Sequence, residues 1–296
     1  MHGLLGSSTV DRSGSGVAAA AISIVSVQLG ASLAVTLFAT AGPLGTVSLR
    51  LIGAAVALAA VSRPWRLRWK RADLLVAATF GVILVVMNSG VYIAIGRLPL
   101  ASVITVELLG PLAVAVATAQ SWRQRAWALP AGAGVAVLGG SLDTHDLLGV
   151  VAALVAATAW ACYILINRRI GSAPEGVAGL CLANVIGALI MAPVGAAAAG
   201  GALLEPKTAI IGLAVGGLSA VAYALDMLAL RRLPTATFGV LTSLNPAVAA
   251  IAGLVILGQR VPASHLCGIL AVIVASAGVT LKTTPSAAVQ DRTPPK

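Results

Sequence analysis

Glu107 is an acidic residue inside a long apolar stretch, and Pro111 follows it four positions later. On a helix this spacing puts the two residues on the same side. Because proline lacks an amide hydrogen, it also leaves a backbone carbonyl unpaired one turn earlier, near residue 107. The acid and the free carbonyl together predict a polar notch that binds an amine or a proton. The alternative interpretation is a protonated glutamate that is hydrogen-bonded within a helix bundle.

Two other charged residues lie inside apolar stretches, and each has two interpretations. Asp226 lies near the end of its stretch, shortly before a pair of arginines, so it is either a functional acid or the partner of a nearby base. Arg50 has a long stem that could reach the surface of a membrane. However, Ile52-Gly53-Ala54 matches Ile186-Gly187-Ala188, which aligns Arg50 with Asn184. Polar residues at equivalent positions of a repeat favour an inward-facing role.

Several uncharged polar or amphipathic side chains also occur at membrane depth, where most such side chains hold helices together. They are Gln28, Asn88, Tyr92, Trp160, Tyr163 and Asn245. Asn245-Pro246 differs from the rest, because it occupies the position in the second half of the chain that Gly110-Pro111 occupies in the first. We therefore expect it to line one site with Glu107, with aromatic walls from the two tyrosines and the tryptophan. Gln28 and Asn88 are further candidates for this site.

The elements that must position these residues are apolar throughout. The 296 residues are 59% hydrophobic and 9% charged, with a mean hydropathy of +1.00, a composition outside the range of soluble proteins. Apolar runs of about 20 residues predict membrane spans. The ten predicted spans are 17–38, 44–61, 73–95, 99–119, 126–140, 147–166, 176–199, 209–230, 234–257 and 264–281. We therefore predict an all-α integral membrane protein with ten transmembrane helices, whose first partner is the lipid bilayer.

The net charge of +10 comes from basic residues that occur in short clusters between the apolar stretches. This pattern is typical of the cytoplasmic loops of membrane proteins, whereas a nucleic-acid-binding protein has a basic face or domain. Most of the 19 basic residues fall in segments on the same side of the membrane as the N-terminus. Both termini are therefore predicted to be cytoplasmic, and no nucleic-acid partner is expected.

The sequence contains no pattern for metal, nucleotide or covalent chemistry. Cys162, Cys181 and Cys267 are isolated, and the histidines have no partners at metal-ligand spacing. No P-loop, zinc-protease motif or nucleophile elbow occurs, so we expect no cofactor. A membrane-embedded enzyme is the less favoured class, because it would need a nucleophile with a base, or a metal cluster.

The chain repeats itself. Arg97-Leu98-Pro99-Leu100-Ala101 opens one apolar stretch, and Arg232-Leu233-Pro234-Thr235-Ala236 opens another, 135 residues later. Because each half contains five predicted spans, the two halves must lie upside down relative to each other. The predicted organisation is a cytoplasmic tail at 1–16, a first repeat at 17–140, an outer linker at 141–146, a second repeat at 147–281 and a cytoplasmic tail at 282–296. Two inverted five-helix repeats with interrupted helices predict a secondary transporter that works by alternating access.

Five segments resemble those of one known family. They are 26–33 (SVQLGASL), 63–68 (RPWRLR), 107–113 (ELLGPLA), 162–165 (CYIL) and 232–239 (RLPTATFG). In order and spacing they are similar to the threonine/homoserine exporters in the EamA branch of the drug/metabolite transporter superfamily. The resemblance implies a ten-helix inverted-repeat fold in the inner membrane. It also implies export of a small-molecule substrate, either a small amino acid or a related metabolite, with the proton as coupling ion.

The chain departs from this family at two carboxylates. Where those exporters carry Glu-Pro-Ala, this chain has Asn245-Pro246-Ala247, and where they carry Leu-Gly-Glu, it has Leu257-Gly258-Gln259. Glu107 and Asp226 are then the intramembrane acids that are left. A drug, nucleoside or sugar is the alternative cargo, although a cargo without an amine would have no use for Glu107.

Overall fold

The computed structural model describes residues 5–117, 121–141, 146–171, 176–233, 238 and 241–281. This part of the chain is helical and contains no β-strand. The first helix begins at Leu5, well before the predicted start of the first span at residue 17. The predicted C-terminal tail at 282–296 lies outside the described residues, as do residues 142–145 of the predicted outer linker.

The helices follow the predicted spans closely. In chain order they are α1 (Leu5–Val35), α2 (Phe38–Ser62), α3 (Arg71–Ile95), α4 (Leu100–Glu107), α5 (Leu109–Ala117), α6 (Trp122–Arg125), α7 (Ala128–Ser141), α8 (Leu147–Gly171), α9 (Gly176–Ala199), α10 (Pro206–Arg232), α11 (Asn245–Leu257) and α12 (Ala263–Leu281). Short 3-10 turns at Pro64–Arg66 and Gly200–Leu204 follow α2 and α9. Together α4 and α5 form the fourth predicted span, and α6 is a single turn.

The surface of the bundle is suited to lipid. Six described helices, α1, α2, α3, α8, α9 and α10, are long and apolar enough to cross a membrane. Large apolar side chains point outward from them and from α11, with exposed fractions of 70% for Leu75, 79% for Val61 and 76% for Val255. A soluble protein rarely exposes so much contiguous apolar surface, whereas lipid chains cover it at no cost. The protein is therefore a multi-pass membrane protein.

Helices from before residue 141 pack mainly against helices from after residue 147. The largest contacts pair α2 with α9, α1 with α10, α3 with α8, and α7 with α12. Further contacts join α2 with α10, α3 with α9, and α1 with α11. Helix α4 contacts both α11 and α8. The two halves of the chain are thus interleaved, so any site inside the bundle is built from both.

The fourth span is interrupted where the proline pattern predicted it. Helix α4 ends at Glu107, Leu108 forms a turn, and α5 begins at Leu109. Pro111 lies in the first turn of α5, where it has no amide hydrogen to give to the carbonyl of Glu107. Gly110 lies against the backbone of Ala157 on α8, and a side chain at 110 would collide with it.

The ninth span is also interrupted, but differently from the prediction. The sequence predicted Pro246 about a third of the way into a helix over 234–257, whereas α11 begins only at Asn245 and Pro246 lies in its first turn. Residues 241–242 are helical and residues 243–244 form a turn before α11. Proline is favoured at this position because the first amides of a helix have no acceptor within it. Residues 234–237 and 239–240 lie outside the described residues.

Candidate functional site

Arg50 is held inside the bundle by two tyrosines. The side chain, on α2, is 5% exposed. Its Nη1 donates a hydrogen bond to the hydroxyl of Tyr92 on α3 over 2.8 Å, and Nη2 donates to the hydroxyl of Tyr223 on α10 over 3.5 Å. The guanidinium carbon also lies 5.3 Å from the centre of the Tyr92 ring, within the range of a cation–π interaction. The sequence allowed the Arg50 side chain either to reach the membrane surface or to face inward, and in the structure it faces inward.

The charge on Arg50 is not matched by a carboxylate. Its Nε has no hydrogen-bond partner among the described residues. A salt bridge of the described structure joins Arg97 to Asp146 over 3.1 Å and does not involve Arg50. Arginine stays protonated in proteins, so Arg50 is a buried cation whose described hydrogen-bond partners are neutral hydroxyls.

Glu107 is the last residue of α4 and lies at the break before α5. It is 8% exposed. Within the described structure its carboxyl group forms no salt bridge with Arg50. Pro111 is half-buried one turn further along. The structure therefore buries an acid and a base in the same helix bundle, with no salt bridge between them in the described residues.

Gln28 and Asn245 form a second polar contact between the two halves of the chain. Nε2 of Gln28 on α1 donates to Oδ1 of Asn245 over 2.9 Å, and Nδ2 of Asn245 donates to the carbonyl of Thr242 over 2.8 Å. Oε1 of Gln28 and the hydroxyl of Ser32, one turn further along α1, have no hydrogen-bond partner among the described residues. Pro246 is buried beside this pair. Buried acceptors of this kind are available to a polar ligand.

The remaining aromatic candidates lie in a cluster that includes Tyr223. The rings of Phe80 and Tyr163 stack with their centres 5.0 Å apart, and the Tyr163 and Tyr223 rings are 6.2 Å apart. Trp160 packs, half-buried, against the same cluster. Asp226 is half-buried on α10, one turn after Tyr223. This cluster thus extends the polar group around Arg50 toward Asp226.

Comparison with known proteins gives the family. A family model described as the EamA-like transporter family matches residues 147–281. The threonine/homoserine exporter RhtA of Escherichia coli (strain K12) is 40% identical over 264 residues, which cover 88% of this chain and 89% of the exporter. The same exporter of Salmonella typhimurium (strain LT2) is 39% identical over the same share of each chain. The chain belongs to the EamA-like transporter family.

This membership excludes the enzyme class, because the relatives are transporters. A solved crystal structure also has the same fold as this EamA-like transporter. It aligns with 89% of this chain and 98% of its own, with a TM-score of 0.57 and 22% sequence identity.

Polar contacts at both ends of the bundle join distant parts of this EamA-like transporter. At the end that carries the α3–α4 connection, Arg97 pairs with Asp146, and the backbone N–H of Leu100 donates to Oε1 of Gln259 over 3.1 Å. At the other end, Nη1 of Arg232 donates to the hydroxyl of Ser15 over 2.8 Å. A transporter that exposes an inner site must break such contacts at one end at a time.

Sequence reasoning treated some polar residues differently from the structure. Tyr223 was not among the residues predicted to bind substrate or a coupling ion, yet Arg50 is hydrogen-bonded to both Tyr92 and Tyr223. The signal that could have found it is its position one turn before Asp226 in an apolar helix. His265, which the sequence assigned to no metal site, is buried, and its Nδ1 lies 3.2 Å from the hydroxyl of Ser102. Asn88 is buried, and its Nδ2 donates to the carbonyl of Leu84 in its own helix over 2.7 Å.

Proposed function

We propose that this transporter exports threonine, homoserine or similar small amino acids across the inner membrane. The observation that carries the proposal is the 39–40% identity, over 88% of the chain, to exporters named for threonine and homoserine. Export is by alternating access, with the proton as the coupling ion. The polar residues inside the bundle give such a substrate the groups that it needs.

The two halves, 17–140 and 147–281, act as inverted repeats with both termini in the cytoplasm. The packing supports this arrangement. Each helix of the first half has a counterpart in the second: α1 and α8, α2 and α9, α3 and α10, α4 with α5 and α11, and α7 and α12. When counterparts are exchanged, the helix contacts map onto one another. The contact of α1 with α10 becomes that of α8 with α3, and the contact of α2 with α10 becomes that of α9 with α3. The family model, which covers 147–281, supports the same division.

The substrate lies between the repeats, near Arg50, Glu107 and Asn245. Two contacts support this position because each joins the halves: Arg50 with Tyr223, and Gln28 with Asn245. Rocking of one repeat against the other changes such contacts first. The backbone breaks beside Glu107 and Asn245 supply carbonyl groups at the same place, as in other transporters with interrupted helices.

Glu107 carries the coupling proton or binds the substrate ammonium group. Its burial and its place at the break of the fourth span support this role, because an ionisable group inside a membrane bundle is costly unless it functions. Asp226 is the second acid of the proposed site. Nearby, the hydroxyl of Ser23 on α1 donates to the carbonyl of Ala222, one turn before Asp226, over 3.0 Å.

An export assay with a panel of cargoes tests the proposal. A strain that lacks its own exporters of these amino acids is loaded with labelled threonine, homoserine, a nucleoside, a sugar and a lipophilic drug. The chain should accelerate the release of threonine or homoserine above that from a strain carrying the empty vector. Release of the nucleoside, sugar or drug alone would assign the same fold to another cargo, and release of none would refute the proposal.

A further inference from the structure

Arg50 is a positive charge inside the helix bundle whose described partners are neutral. Its hydrogen bonds go to the hydroxyls of Tyr92 and Tyr223, and tyrosine hydroxyls do not ionise near neutral pH in their ordinary state. A buried cation without a directly paired counter-charge is strongly unfavourable. An anion that enters the site during transport would pair with Arg50 directly.

The geometry of the guanidinium suits a carboxylate. The two tyrosines each occupy one N–H of an Nη atom, so both Nη atoms keep a second N–H, and Nε–H has no described partner. Arginine binds a carboxylate through two parallel hydrogen bonds from adjacent N–H groups. The guanidinium is restrained by its hydrogen bond and ring contact with Tyr92, whose ring packs 5.7 Å from that of Phe38. Little side-chain freedom would be lost when an anion binds.

Glu107 is a buried group of the opposite charge. Arg50 and Glu107 come from α2 and α4, and their chain neighbours Leu51 and Val106 belong to the same buried apolar cluster. An amino acid is a zwitterion, with an ammonium group and a carboxylate on the same carbon. It can therefore satisfy both side chains at once, which neither a neutral sugar nor a simple amine can do.

We propose that Arg50 binds the α-carboxylate of the transported amino acid through its Nε edge, while Glu107 faces the ammonium group. Tyr92 and Tyr223 are positioning residues that hold the guanidinium. This assignment rests on the proposed function and narrows it: the substrates are amino acids with a free carboxylate. Esters, amides and amino alcohols are excluded.

Three probes separate the two charges of the substrate. L-threonine carries both, L-threoninol lacks the carboxylate, and 3-hydroxybutyrate lacks the amine. Their binding to the purified full-length protein is measured by isothermal titration in detergent. We expect threonine to bind best and threoninol to bind about tenfold or more weakly, because it loses a charge-assisted pair of hydrogen bonds.

Variants assign the carboxylate to Arg50. Arg50→Gln should no longer bind threonine more tightly than threoninol and should no longer bind 3-hydroxybutyrate. Glu107→Gln should still bind 3-hydroxybutyrate. Arg50→Lys keeps the charge without the fork and should give an intermediate affinity, and Tyr223→Phe, which removes one long hydrogen bond, should cost less. Arg66→Gln, at an exposed residue of the α2–α3 connection, is the matched control and should bind as the wild type does.

The outcomes distinguish this inference from the proposed function. If threoninol binds as tightly as threonine, or if Arg50→Gln and Arg50→Lys keep full discrimination, Arg50 does not bind the carboxylate, although export of the amino acid still stands. If neither threonine nor homoserine binds to the wild type or is exported by it, the proposed function fails and this assignment fails with it. If Arg50→Gln does not fold, the Arg50→Lys and Tyr223→Phe affinities decide.

Discussion

Gln28 and Asn245 are hydrogen-bonded over 2.9 Å although 217 residues separate them in the chain. The bond joins α1 to the first residue of α11, next to the backbone turn at 243–244. Helix α11 also packs on α4, the helix that ends at Glu107. The position of α1 is therefore linked to the break in the ninth span and, through it, to the acid in the fourth.

We expect this hydrogen bond to stabilise the described conformation. Replacing one partner leaves the other buried and unpaired, which costs about 1–3 kcal/mol. Gln28→Ala and Asn245→Ala should each lower the free energy of unfolding by that amount, and the double variant should lose clearly less than their sum. A double-mutant cycle on the purified protein in detergent measures this coupling. Strictly additive losses would mean that the bond contributes nothing.

Glu107→Gln should abolish export while leaving the fold intact. Glutamine keeps the shape and most of the hydrogen-bonding capacity of the side chain, but it can carry neither a negative charge nor a transported proton. The rate of threonine release from loaded cells measures the effect, and the amount of protein in the membrane is the control. Asp226→Asn should have a milder effect, because Asp226 is less buried. Full export by Glu107→Gln over a range of external pH would make the acid structural.

Arg97 and Arg232 should face opposite sides of the membrane if the repeats are inverted. Both side chains are exposed, and they occupy matching positions of the two repeats, five spans apart. Cysteines replace each of them in a background that lacks the exposed Cys162 and Cys267. A reagent that cannot cross the membrane should label position 97 from outside intact cells and position 232 only after the cells are opened. Equal labelling of both in intact cells would contradict the inverted repeat.

Close contact between α2 and α10 should depend on Gly216. A Cβ atom at 216 would lie 2.5 Å from the carbonyl oxygen of Arg50, whereas one at Gly217 would meet nothing within 4 Å. Gly216→Ala should therefore push the helices apart, lower the unfolding midpoint and weaken export. Gly217→Ala is the matched control and should be neutral or stabilising, since alanine favours a helix by up to about 1 kcal/mol. Equal effects of the two variants would argue against this close packing.

The helices and the broken fourth span could be predicted from sequence because their causes are local. Long apolar runs determine where the helices lie, and the missing amide of Pro111 explains the interruption near Glu107. The early start of α1 at Leu5 could not be predicted, since the segment before residue 17 is rich in serine and glycine and has no continuous apolar run. Helix α11 begins after a turn at 243–244. The length of the apolar run did not predict this turn, because the run continues through it.

The contacts of the site were less predictable because they join distant parts of the chain. Arg50 is 42 residues from Tyr92 and 173 residues from Tyr223. The sequence indicated that Arg50 is unusual, but its stem allowed two directions. Only the packing of α2 against α10 selects the inward one and adds Tyr223 to the site.

Exchange by the purified protein tests the central claim most directly. Vesicles that contain the protein are loaded with unlabelled L-threonine, diluted into labelled L-threonine, and sampled with and without a pH gradient. We expect labelled threonine to enter wild-type vesicles by exchange, the pH gradient to drive net movement, and vesicles with Glu107→Gln to show neither. If wild-type vesicles exchange neither threonine nor homoserine while they exchange a sugar or a nucleoside, the protein is not an amino-acid exporter.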